Sequence, residues 1–314
     1  MKNIFFLVAL FFSVQASAVP LNTIVVFGDS LSDNGNLYEY MKRELPLSPP
    51  YFNGRFTNGP VWIELLTRMY YPNDSKAHLL DYAFGGAGVS EEVNDDDDDD
   101  DEEVLFTLRR EIDSYLLTHH EKADESSLYV VWMGSNNYLA APSNADDAVN
   151  QTILGIKHDL QRLVKKGAKH IMVVDVVDLG KTPAAKDFDA VDLFTELSRK
   201  HNVLLKQMVE EMKSEDPSVQ WFLFEASSIL DEMVNFPDRY GFTNTTTACT
   251  EEMMAKPSSK FILKMASSVN KARLNVDACT GYLFFDLVHP SEPGHIAMAE
   301  KTKKMLDDAD VTFE

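Results

Sequence analysis

Five short apolar runs alternate with longer amphipathic stretches along this chain, and that alternation constrains the fold more than any other feature. The runs cover residues 24–27, 79–83, 128–133, 170–176 and 221–224. Each is short and carries apolar side chains at consecutive positions, as a strand buried on both faces requires. Between and after them, residues 37–43, 61–70, 105–119, 147–166, 191–212 and 293–306 repeat apolar positions at helical spacing. Strands separated by helices pair in parallel through right-handed crossovers. The pattern predicts a single three-layer α/β domain over residues 19–314, with a mostly parallel sheet of about five strands. No linker rich in Gly, Ser or Pro divides it, and no internal repeat is visible.

Residues 1–18 are of another kind. Lys2 supplies a positive start, residues 4–14 an apolar stretch, and Ala16-Ser17-Ala18 a small-x-small cleavage site. This reads as a secretory signal, with the mature chain beginning near Val19 and destined for the periplasm or the medium of a bacterium. The stretch is too short to span a bilayer, and no later segment offers the roughly 18 continuous apolar residues a spanning helix needs. The formal charge is −21, and loss of Lys2 makes it one unit more negative. Such a chain is repelled by nucleic acid and by anionic membranes, and suits neutral or zwitterionic partners.

Export also bears on the two cysteines, Cys249 and Cys279. In an oxidising compartment one disulfide is expected, closing a loop of about 30 residues; two buried thiols are the alternative. They lie in a polar stretch, residues 235–282, which reads as a long loop with a helix around 261–269. Loops of this size are usually functional or disordered. Residues 94–103 hold seven consecutive aspartates and two glutamates. A block of like charge cannot pack and reads as a solvated loop; it lacks the glycine and spaced ligands of a calcium-binding loop.

Chemistry gathers where strands end. Gly28-Asp29-Ser30-Leu31 follows the first apolar run, so Ser30 sits where a strand hands over to a helix, its N–H among the unpaired donors of a helix start. That is the setting of an activated nucleophile, with N–H groups placed to take up developing negative charge. In Asp286-Leu287-Val288-His289-Pro290, the proline keeps His289 out of helical conformation. Asp286, three positions earlier, can hold Nδ1–H of the ring and leave Nε2 to accept the serine proton. Gly134-Ser135-Asn136-Asn137 and Gly85-Gly86-Ala87-Gly88 follow the third and second runs, which brings them to the same sheet edge. An asparagine amide is a neutral donor, and a glycine N–H can approach a carbonyl unhindered. Neither a dinucleotide fingerprint nor a Walker lysine is present.

Gly28-Asp29-Ser30-Leu31, Gly86, Gly134-x-Asn136 and Asp286-x-x-His289 together resemble, in order and spacing, the four blocks of the GDSL or SGNH hydrolases. The resemblance implies a flavodoxin-like fold, Ser30 as nucleophile, His289 as base and Asp286 as its orienting acid. It further implies an oxyanion hole from the N–H groups of Ser30 and Gly86 and the amide of Asn136, with no metal or organic cofactor. Two positions depart from the blocks: Asp81 stands where asparagine is frequent, and Asn137 where aspartate is usual.

Longer matches, residues 27–36, Gly54-Arg55-Phe56-Thr57-Asn58-Gly59-Pro60-Val61-Trp62 and residues 285–290, resemble the secreted bacterial branch of phospholipases A, lysophospholipases and glycerophospholipid–cholesterol acyltransferases. Plant secreted GDSL lipases share the first two segments. A cysteine-closed loop before the last block also recurs in the bacterial branch. The expectation is a secreted serine esterase acting on lysophospholipid or phospholipid at a membrane or micelle surface. Acyl transfer to cholesterol or another alcohol is the alternative, followed by carbohydrate deacetylation and by a non-catalytic binding protein. The polar stretch 251–260 is a candidate for nicking by an activating protease. On physical grounds alone, residues 54–60 are a glycine- and asparagine-rich loop leading into a helix.

Overall fold

The computed structural model describes residues 20–90, 106–250 and 279–314. The expected signal, the acidic run and the helix around 261–269 lie outside these residues. Five parallel strands form the main sheet: β1 (Thr23–Gly28), β2 (Leu79–Asp81), β3 (Ser127–Trp132), β4 (His170–Val174) and β5 (Gln220–Phe224). Their order is β2-β1-β3-β4-β5. This is the flavodoxin-like order, in which the sheet grows outward in both directions from β1.

Alternate side chains of each central strand enter opposite cores. Val25 and Phe27 of β1, Tyr129 and Val131 of β3, and Ile171 and Val173 of β4 join one cluster. Ile24, Val26, Leu128, Val130, Met172 and Val174 join the other. Burial on both faces is what the consecutive apolar runs require, and β1 and β3 satisfy it. The outer strands differ from the expectation. All three residues of β2 are only half-buried, and Gln220 of β5 is exposed, because each strand has a neighbour on one side only.

Nine α-helices are found among the described residues: α1 (Asn36–Tyr40), α2 (Trp62–Tyr70), α3 (Leu108–Thr118), α4 (Ser135–Leu139), α5 (Ala145–Lys166), α6 (Pro183–Asp187), α7 (Val191–Glu215), α8 (Ala226–Asn235) and α9 (Glu292–Asp308). The first core is covered by α3, α5 and α7, the second by α2, α8 and α9. The short helices α4 and α6 were not apparent from periodicity, since two turns or fewer hold too few apolar positions to define a face; α8, ten residues long, was not singled out either.

The stretch 235–282 is not simply loop. It contains β6 (Asn244–Ala248), which pairs in parallel with β7 (Tyr282–Phe284). A disulfide joins Cys249 to Cys279, their Cα atoms 5.3 Å apart. Beyond β6, the N–H groups of Cys249 and Thr250 donate to the carbonyls of Phe284 and Phe285, so this small sheet adjoins the Asp286 turn.

Candidate active site

The carboxyl end of β1 leads directly into the turn bearing Ser30. The N–H groups of Ser32 and Asp33 both donate to the Asp29 carbonyl at 3.0 Å, which closes a single tight turn. This corrects the expectation that Ser30 opens a helix: α1 starts only at Asn36. Asp33 causes the delay. Its carboxylate accepts the N–H groups of Gly35 at 2.7 Å, Asn36 at 2.6 Å and Leu37 at 3.2 Å, and so caps α1 from outside it. The N–H of Ser30 has no partner among the described residues.

Across from this turn, β7 hands over to a second one. The N–H of Phe285 donates to the His289 carbonyl at 2.8 Å, and Pro290 leads on to α9. Asp286 Oδ1 accepts the N–H groups of Val288 at 3.0 Å and His289 at 2.7 Å, folding the acid back on its own loop. Oδ2 lies 2.6 Å from His289 Nδ1, and Nε2 of the same ring lies 2.6 Å from Ser30 Oγ. A carboxylate oxygen can only accept, so Nδ1 carries the ring proton and Nε2 is left to accept from the serine hydroxyl. Ser30, Asp286 and His289 are all buried. The structure therefore brings these three predicted residues into one hydrogen-bonded chain.

Gly86 and Asn136 come to the same sheet edge, where Asn136 bonds to the residue after Gly86. The N–H of Phe84 donates to the Gly28 carbonyl at 3.0 Å, which continues the β2–β1 pairing up to the glycine loop. Gly86 has φ +83°, a left-handed conformation that glycine adopts without strain. Its N–H has no partner among the described residues. The Asn136 amide donates to the Ala87 carbonyl at 2.7 Å, placing Asn136 beside that loop with one amide hydrogen still to give.

A group of carboxyls, Glu111, Asp29 and Asp33 buried and Asp81 half-buried, underlies the turn. Glu111, from α3, accepts the Gly28 N–H at 2.9 Å. Burial pushes Glu111 and Asp81 well above the usual carboxyl range, and raises Asp29 and Asp33 to about 6. On the opposite side His295 of α9 accepts the Trp62 N–H at 3.2 Å. Burial holds His295 down at about 3, with the nearby His289 a second cause, so it is neutral at physiological pH.

The profile of the GDSL-like Lipase/Acylhydrolase family matches residues 24–302. The chain belongs to this family. It is thus a GDSL-type acylhydrolase, whose chemistry is that of a carboxylic ester hydrolase. The phosphatidylcholine-sterol acyltransferase of Aeromonas hydrophila is 29% identical over 327 aligned positions, covering 96% of this chain and 95% of that protein. The secreted effector protein SseJ of Salmonella typhimurium is 27% identical, covering 89% of this chain and 62% of its own length. The structure of Est24, a carbohydrate acetylesterase from Sinorhizobium meliloti, aligns over 92% of this chain and 99% of its own, with 12% identity and a TM-score of 0.49.

Both departures from the GDSL blocks have a local account. Asn137 pairs with Val89 at two points: its Oδ1 accepts the Val89 N–H at 3.0 Å and its Nδ2 donates to the Val89 carbonyl at 2.7 Å. An aspartate could match only the first. Asp81 accepts the N–H groups of Ala83 at 2.9 Å and Asn34 at 3.2 Å. Only acceptance is asked of it, and its raised pKa follows from burial first and the neighbouring Asp33 second. Sequence reasoning missed Asp33, Tyr51 and Glu111, all of which touch the site through partners distant along the chain.

Proposed function

We propose that the protein is a serine esterase that cleaves acyl esters of lipids, with lysophospholipid or phospholipid as substrate, through an acyl-enzyme on Ser30. The observation that carries this reading is the continuous chain Ser30 Oγ, His289 Nε2, His289 Nδ1, Asp286 Oδ2, with both contacts at 2.6 Å. Ser30 Oγ attacks the ester carbonyl as His289 Nε2 takes its proton, and Asp286 steadies the imidazolium that forms. The carbonyl oxygen, now negative, is held by the N–H groups of Ser30 and Gly86 and the free amide hydrogen of Asn136. Collapse expels the alcohol, which leaves with the proton from His289. Water, deprotonated by the same nitrogen, then attacks the acyl-enzyme and releases the fatty acid and free Ser30.

Two further observations favour a lipid substrate. The Aeromonas hydrophila relative, aligned over nearly its whole length, is named for acyl transfer from phosphatidylcholine. Phe84, which leads into Gly85 and Gly86, stacks on Phe106 at 4.5 Å, and the exposed Tyr40 meets both rings edge-on. Aromatic surface beside the glycine loop suits an acyl chain or a lipid surface. Secretion is part of the proposal, supported by the signal-like start and by the Cys249–Cys279 disulfide, a bond typical of oxidising compartments. Nicking by a protease between the cysteines is a further expectation of that reading, to be checked by comparing intact and cleaved protein.

The same relative's name favours one second reading, in which a sterol or another alcohol replaces water at the acyl-enzyme. Purified mature protein on phosphatidylcholine vesicles containing cholesterol tests both. Free fatty acid is expected as the main product; steryl ester in excess would favour transfer, and neither product would remove the lipid reading. Labelling by a fluorophosphonate probe tests the ester chemistry separately from the substrate.

A further inference from the structure

Residues 51–58, a loop with no regular structure and no assigned role, touch the histidine turn at four places. The Tyr51 hydroxyl donates to Asp286 Oδ2 at 2.8 Å. The Phe56 ring lies against the His289 ring, centroids 5.2 Å apart. Thr57 Oγ1 donates to the Pro290 carbonyl at 2.8 Å, and Asn58 Oδ1 accepts the Glu292 N–H at 2.8 Å. The loop therefore runs alongside the turn from its acid, past its histidine, to the first residue of α9. Tyr51 is itself fully buried and packed edge-on against Phe56 and Phe285, so its hydroxyl has little freedom to leave the acid.

We infer that Tyr51 is a positioning residue for the Asp286–His289 pair, holding the acid by the same oxygen that receives His289 Nδ1–H. The inference rests on the proposed roles of those two residues and adds a fourth member to their chain. A carboxylate offers about four acceptor sites. Here Oδ1 takes the N–H groups of Val288 and His289, and Oδ2 takes the ring of His289 and the hydroxyl of Tyr51. All four are filled, which leaves this buried acid no acceptor site without a partner. The hydroxyl has a second effect. By drawing charge from Oδ2 it weakens the hold of Asp286 on the imidazolium. Of the other titratable groups, Asp29 beside the nucleophile turn and His295 on α9 act electrostatically on His289, and both are buried.

The test follows the rate at which a fluorophosphonate labels Ser30, as a function of pH, in mature wild type, Tyr51→Phe and protein carrying 3-fluorotyrosine at position 51. Tyr51→Phe is expected to label about tenfold more slowly on the pH plateau, the scale of one hydrogen bond to a charged group. Its acid limb should move to higher pH, because the freed Oδ2 charge favours the imidazolium. The fluorinated phenol is a stronger donor and should move the limb the other way without disturbing packing. Unchanged rate and limb in Tyr51→Phe overturn the inference. So does a slow Tyr51→Phe in which neither substitution moves the limb, since that is packing alone. If Tyr51→Phe does not fold, the fluorotyrosine protein decides by the direction of its limb. Wild type that fails to label at all overturns the proposed function instead, which keeps the two failures apart.

Discussion

Asp33 Oδ2 accepts the N–H of Gly85 at 2.7 Å, so one buried carboxylate ties the turn bearing Ser30 to the loop bearing Gly86. Those residues are far apart in sequence and belong to two different strand ends. Both must be held together if a nucleophile and an oxyanion donor are to act on one carbonyl. Asp33 does this while also capping α1, using both carboxylate oxygens for four backbone N–H groups.

Asp33→Asn keeps the shape but turns one acceptor oxygen into a donor facing N–H groups. We expect a loss of about 3 kcal/mol in urea denaturation, the scale of buried hydrogen bonds to a charged group. The fluorophosphonate labelling of Ser30 should slow with it. Stability within about 0.5 kcal/mol of wild type would show that Asp33 is not the tie it appears as in the geometry.

The carboxyls beneath the nucleophile turn set a pH dependence of stability. Asp29 and Asp33 are raised from 3.8 to about 6, and Asp81 lies well above 3.8. The fold therefore binds these protons more tightly than the unfolded chain does. Their contribution is full below pH 3.8 and is lost as pH rises through the folded values, near 6 for Asp29 and Asp33. Asp81→Asn removes one such group and keeps an acceptor oxygen for Ala83. Melting temperatures between about pH 4 and 7 should show wild type losing ground to the variant as pH rises. A difference that stays constant with pH would contradict this.

Asn137→Asp restores the residue usual in the third GDSL block, yet it should destabilise this chain. It removes the donor to the Val89 carbonyl and sets a negative charge against it. A cost of about 1–3 kcal/mol is expected from chemical denaturation. A neutral or stabilising result would mean that the loop after Ala87 rearranges freely.

Ser30→Ala deletes the hydroxyl that meets His289 Nε2 and little else. Ester turnover and probe labelling should fall to background with the melting temperature nearly unchanged. Retained turnover would mean that another nucleophile carries the reaction.

Cys249 and Cys279 are 30 positions apart. Replacing both by serine should cost about 3–4 kcal/mol, the loop-entropy scale for a bridge of this span. The cost should be felt beside the site, since Cys249 and Thr250 bond to Phe284 and Phe285 just ahead of Asp286. Hydrogen exchange at Phe285 and His289 is the direct measure. Protection there equal to wild type would place the bridge's influence elsewhere.

The cores of β1, β3 and β4 were legible in the sequence because a strand buried on both faces must be apolar at every position. The long helices α5, α7 and α9 were legible because several turns repeat the same face. The candidate roles of Ser30, Gly86, Asn136, Asp286 and His289 could be drawn from residue type and from position after a strand, since parallel sheets collect their strand ends at one edge.

Local sequence did not separate the Ser30 turn from a helix start, because the interruption depends on how Asp33 spends its two oxygens. Nor could it single out Tyr51, 235 positions from the acid it touches, or Glu111, 83 positions from Gly28. Such contacts leave no period and no motif. They exist only once the sheet order has brought strand ends and loops together. What the sequence alone determined is the strands of the main sheet, the long helices, and which side chains are candidates for ester chemistry. The tertiary structure decided which buried donors and acceptors hold those side chains still, because burial makes a missing partner costly and the partners come from wherever the fold provides them.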